Sequence, residues 1–91
     1  MKIKEEYILQ NIADKWVVIN TNAKSNNFNK ILSLNDSGKY LWEQLEKGVE
    51  VKDLVNGLID YFKIDKDLAI KDVESFIFKL QELECIENEE K

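Results

Sequence analysis

No histidine, arginine or proline occurs in these 91 residues, and there is a single cysteine. Without histidine, no side chain titrates near neutrality at its ordinary pKa, so the commonest general acid–base chemistry is missing. One cysteine makes neither an internal disulfide nor a thiolate metal cluster. Without arginine, the commonest bidentate contact to guanine is unavailable. No window approaches 18 uninterrupted apolar residues, and the start MKIKEEYILQ lacks the apolar stretch of a signal peptide. The setting expected from this is reducing and cytoplasmic. Acidic pairs such as Glu5-Glu6 and Glu89-Glu90 do not gather the six or more oxygens that calcium requires, and they read as solvated charge.

What is present is enough for one modest core and one domain, residues 1–91, with an ordered part of about residues 5–86. The net charge of −5 is unevenly spread. Residues 1–34 hold five Lys and three acids, net +2, and residues 35–91 hold eight Lys and fifteen acids, net −7.

Tyr7, Leu9 and Ile12 alternate, and Trp16-Val17-Val18-Ile19 is β-branched and aromatic, so two strands are expected, joined at Ala13-Asp14-Lys15. The polar run from Asn20 to Asn27 interrupts the pattern. Phe28, Lys30, Leu32 and Leu34 then fall on one face of a third strand. Asn35 ends it and offers a side-chain oxygen to the free N–H groups of a following helix.

From there the period is helical. Leu41, Trp42 and Leu45 make a first helix that Gly48 stops. Val51, Leu54, Val55, Leu58, Ile59 and Phe62 form the stripe of a second, which shows Lys52, Asp53, Asn56 and Asp60 to water. Asp65 caps a third, with Ala69, Val73, Phe76, Ile77, Leu80 and Leu83 on its inner face; it ends near Cys85, and residues 87–91 read as a frayed tail. The expected class is therefore α+β: a three-stranded antiparallel sheet followed by three helices. Trp16 and Trp42 fit core positions better than ligand-stacking ones. Cys85, with no histidine, arginine or second cysteine to activate it, fits a buried small hydrophobe.

In order and spacing, these motifs resemble the PqqD-like family, small winged-helix-turn-helix-like domains also called RiPP recognition elements. The residues that carry the resemblance are Trp16-Val17-Val18-Ile19, Leu32-x-Leu34-Asn35-x-x-Gly38-x-x-x-Trp42-x-x-Leu45, and Gly48 before Val51-x-x-Leu54-Val55-x-x-Leu58. To these are added Tyr61-Phe62-x-Ile64-Asp65 and Ala69-x-x-Asp72-Val73-x-x-Phe76-Ile77-x-x-Leu80. Two positions depart from the family's usual pattern. Glu50 stands where Thr or Ser usually caps the second helix, and Glu84-Cys85 where Gly usually follows the third.

The resemblance implies a non-catalytic module without cofactor or metal that captures the leader segment of a ribosomally made precursor peptide and presents it to a modifying enzyme. The partner implied is a radical S-adenosylmethionine maturase, a cyclodehydratase or a peptidase. The leader would add as a strand to the third strand, beside the third helix. By resemblance the contact residues are Asn29, Lys30, Ile31, Leu32 and Ser33 on the strand, with Ala69, Asp72, Val73 and Phe76 on the helix. Lys30 and Lys24 are candidates to hold an acidic leader residue, and Asp72 a basic one. Core packing accounts equally well for Leu32 and Phe76.

Two other classes compete. One is a scaffold that activates the modifying enzyme without a peptide groove, or a chain that pairs its edge with its own copy. The other is a winged-helix DNA-binding protein. Against the latter, residues 65–84 carry three Lys and six acids, a face that repels phosphate.

Overall fold

The computed structural model describes residues 2–21 and 31–87. Among these, the chain runs β1 (Lys2–Ile3), β2 (Tyr7–Ile12), β3 (Lys15–Asn20), β4 (Ile31–Leu34), α1 (Asp36–Glu46), α2 (Val51–Phe62), α3 (Lys66–Glu82) and β5 (Ile86–Glu87). The strand order β2-β3-β4 makes an antiparallel sheet with β3 in the middle, and three helices follow it. This is the α+β arrangement the periodicities predict.

The hairpin from β2 to β3 closes on two residues. Ile12 pairs with Lys15, and Ala13 and Asp14 both take positive φ, 52° and 66°. That is a type I′ turn, whose twist matches the flanking strands but which favours Asn-Gly over Ala-Asp. Lys15 therefore belongs to the strand and not to the turn. Asn20, expected at the start of a loop, is instead the fully buried last residue of β3, opposite Tyr7.

All three helices begin as their first residues dictate. The Asn35 Oδ1 accepts from the Gly38 N–H at 2.8 Å and from the Ser37 hydroxyl at 3.1 Å. Asp65 Oδ1 accepts from the Leu68 N–H at 3.0 Å. At α2 the substitute cap works in reverse: Asp53, in the first turn, accepts from the Glu50 N–H at 3.1 Å. Gly48, at φ 84°, takes the left-handed conformation just after α1 at no steric cost. After α3 that conformation falls to Glu84, at φ 60°, while the Cys85 N–H returns to the Leu80 carbonyl at 2.9 Å. The helix thus closes as it would around glycine, with a residue that pays some steric strain there.

The core lies where the helices meet the sheet. Trp42, Leu54, Leu58, Ala69, Val73 and Leu80 are all completely buried, and Leu41, Leu45 and Val18 nearly so. The Trp42 indole N–H reaches Glu46 Oε2 at 3.0 Å, so its one polar atom is satisfied. Val51, expected on the buried stripe of α2, is 41% exposed because it sits at the helix's first turn, beyond the packing of α2 on α3.

A second, two-stranded sheet was not expected. β1 and β5 pair antiparallel, Lys2 with Glu87 and Ile3 with Ile86, and the Lys4 N–H continues to the Cys85 carbonyl at 2.9 Å. Glu87, expected in a frayed tail, is a strand residue. Ile3, Cys85 and Ile86 join the core from this edge. Burial pushes the Cys85 thiol up to about 11, with nearby Lys4 opposing and Glu6 adding to the shift. It is a packed, protonated side chain at neutral pH. No helix among the described residues is long and apolar enough to cross a membrane.

Candidate functional site

The backbone of β3 fixes which atoms of β4 are free. The Thr21 N–H donates to the Glu6 carbonyl at 2.7 Å, one pair beyond the end of the hairpin. In an antiparallel ladder, hydrogen-bonded pairs alternate with non-bonded ones. Counting inward from that pair, Ile19, Val17 and Lys15 direct their peptide groups at β2, so Trp16 and Val18 direct theirs at β4. Opposite them stand Leu34 and Leu32. The N–H and C=O groups of Ile31 and Ser33 therefore point away from β3. Among the described residues β4 pairs with no other strand, so this is an open edge.

Beside that edge runs α3, antiparallel to β4. The Tyr7 hydroxyl donates to the Leu83 carbonyl at 3.0 Å, which ties the end of α3 to the Tyr7–Asn20 end of the sheet, where β4 begins. Asp72, a few turns earlier, lies against Asn35 and Ser37 at the other end of β4. Between strand and helix is a groove of about 370 Å³. Leu32, Ser33 and Leu34 form its strand wall, and Asp72, Ser75, Phe76 and Lys79 its helix wall. Gly38 and Leu41 close it beneath the N-terminus of α1. A Cβ at Gly38 would stand 3.2 Å from Asn35 Oδ1 and 3.3 Å from Leu34 Cδ2, so the close approach of cap and strand here depends on a bare backbone.

Of the expected contact residues, the fold brings Leu32, Ser33, Asp72 and Phe76 into this groove, with the Ile31 backbone at its edge. Ala69 and Val73 are elsewhere: both are 0% exposed and pack α3 onto the core, behind the groove wall. Asn29 and Lys30, with Lys24, lie outside the described residues. Ser75, Lys79, Ser37 and Gly38 were not singled out from the sequence as contacts. The signal for Ser75 and Lys79 was available, since positions 72, 75, 76 and 79 share one side of a helix. Leu32 is both core and groove wall, 9% exposed, so packing and contact coexist there. The two tryptophans stay out of the groove. Trp42 is core, and Trp16 lies under the Lys39 ammonium, 4.6 Å from the ring centroid.

An open strand edge with outward N–H and C=O groups, walled by a helix that supplies apolar, hydroxyl and charged side chains, is suited to holding an extended peptide.

Solved structures of similar shape include TbiB1 in complex with the TbiA(beta) leader peptide, at TM-score 0.78 and 21% identity over 100% of both chains. A lasso peptide synthetase B1 complexed with its leader peptide matches at TM-score 0.71 and 15% identity over 93% of both chains. At these identities the likeness is one of fold. No curated protein matches the chain. Residues 6–86 match the family of coenzyme PQQ synthesis protein D (PqqD), in nearly the whole of the sheet-and-helix unit described above, and the chain is therefore a member of the PqqD family.

Proposed function

We propose that this protein binds the leader segment of a ribosomally made precursor peptide by strand addition to β4 and presents the rest of that peptide to a separate modifying enzyme. The observation that carries the reading is the outward-facing peptide groups of Ile31 and Ser33 beside the α3 groove. Main-chain bonds to this edge supply affinity irrespective of leader sequence, and the groove between Leu32, Leu34 and Phe76 selects an apolar side chain. Asn29 and Lys30 precede β4 in the sequence and belong to the proposed contact set, in which Lys30 meets an acidic leader residue and Asp72 a basic one. Two proteins of the same fold bind leader peptides, which supports the assignment. The role is non-catalytic and cytoplasmic, and the chemistry belongs to the partner, of the radical S-adenosylmethionine, cyclodehydratase or peptidase kind.

The test is a titration of the isotope-labelled chain with a synthetic candidate leader peptide. Amide shifts are expected to concentrate on residues 31–34 and on α3 from Asp72 to Lys79. Shifts confined to the far side of α1, or none until the modifying enzyme is added, would refute the reading and favour a scaffold that acts only through its enzyme.

A further inference from the structure

The groove does not stop at the end of β4. Asn35, Ser37 and Asp72, which line it, also line an adjoining hollow of about 420 Å³ that reaches Asp36, Phe62 and Ile64. Asp36 and Phe62 in turn belong to a third stretch of about 320 Å³, with Tyr40, Glu43 and Tyr61. Sharing these residues, the three hollows follow one another around the N-terminus of α1 as a segmented trough.

Its chemistry changes along the way. Lys79 stands at the β4 end, whereas past Asp72 the walls carry the carboxylates of Asp72, Asp36 and Glu43. Among the described residues Lys39 is the one cation lining the latter stretches, and its ammonium is already held by Glu43 at 3.1 Å and over the Trp16 ring. Rings complete the surface. Tyr40 and Tyr61 stack with centroids 5.1 Å apart, Phe62 meets both edge-on, and Tyr61 is 68% exposed. A ring so exposed, in the same hollow as the carboxylate of Asp36, offers a cationic side chain both a face and a counter-charge.

We infer that the trough takes the residues adjoining the strand-forming segment of the same bound peptide, and that these carry Lys or Arg. This rests on the peptide-binding reading above and specifies its occupant: an extended peptide whose charge turns positive on the side that passes the N-terminus of α1.

The probe is a random dodecapeptide display library panned against the full chain, followed by affinities of the enriched peptides. Enriched sequences are expected to combine an apolar strand-forming stretch with Lys or Arg on one flank, and to lose binding to an Ile31→Pro chain. The Asp36→Asn/Asp72→Asn chain should bind them roughly two- to fivefold more weakly per carboxylate, because exposed ion pairs are weak. That loss should vanish for peptides with norleucine in place of the basic residue. Tyr61→Ala, which also loses the ring's contacts with Tyr40 and Phe62, is expected to weaken the same peptides while circular dichroism shows the fold retained. Peptides that need Ile31 yet show neutral flanks and indifference to the Asn pair would overturn the trough and leave the strand-addition reading standing. Enriched peptides indifferent to Ile31→Pro, or no enrichment, would overturn both.

Discussion

The helical interior around Trp42 and the open edge at β4 are built on opposite rules. In the interior, side chains decide everything: Trp42, Leu54, Leu58, Ala69, Val73 and Leu80 interlock with no exposure at all, and any change in volume is felt. At the edge the backbone decides, because the outward peptide groups of Ile31 and Ser33 are the same whatever side chains stand there. Stability resides in the first region and the proposed recognition in the second. The two meet at the hinge, where Leu32, Leu34, Asn35 and Gly38 wall the groove while anchoring strand and helix to the core, and Leu41 and Phe76 likewise belong to both.

That division is most sharply tested where the interior is densest. Trp42→Ala removes a fully buried indole and is expected to cost about 3–5 kcal/mol, measured by urea denaturation. For a domain of this size that is a large share of the total. A variant that melts like its parent but no longer binds peptide would move Trp42 from the core to the site.

Cys85 probes the interior by its proton. Below pH about 9 folded and unfolded states both keep the thiol, and its ionisation has no effect. As pH rises from about 9 to about 11 the unfolded state loses the proton first, so stability falls across that window. The loss is on the order of 2 kcal/mol and should be absent from the pH dependence of Cys85→Ala, which will be less stable throughout.

At the hinge, Asn35→Ala removes the acceptor for the Gly38 N–H and is expected to destabilise by about 0.5–2 kcal/mol by thermal or urea melts. The smallest effect is a gain away from both regions. Ala13→Asn with Asp14→Gly gives the type I′ turn the residues it favours and should stabilise by about 0.5–1 kcal/mol without altering peptide affinity.

How far each region could be read from the sequence follows the same line. The helices were legible because burial repeats every three or four residues and because Asn35, Gly48 and Asp65 punctuate them. β1 and β5 were not, since two residues show no period and their partners lie at opposite ends of the described chain. The edge role of β4 followed from its resemblance to a known family, but the outward direction of Ile31 and Ser33 needed the register, which the two-residue turn and the Thr21–Glu6 bond fix together. Ala69 and Val73 were expected as contacts from the resemblance alone, although the helical period already placed both on the inner face of the third helix. The packing of α3 turns 69, 73 and 80 inward and leaves 72, 75, 76 and 79 for the groove.

The most direct measurement compares proline at the two edges of the same sheet. The Ile31 N–H points away from β3, so Ile31→Pro removes no bond of the ladder, and circular dichroism should show the fold retained. The register gives Asn11, on β2, an N–H that points outward in the same way at the opposite edge. Ile31→Pro is predicted to weaken leader binding by about tenfold or more, through the lost main-chain bond and the proline ring at the pairing edge, while Asn11→Pro leaves it unchanged. Equal affinities for the parent and Ile31→Pro, with both folded, would contradict strand addition at β4.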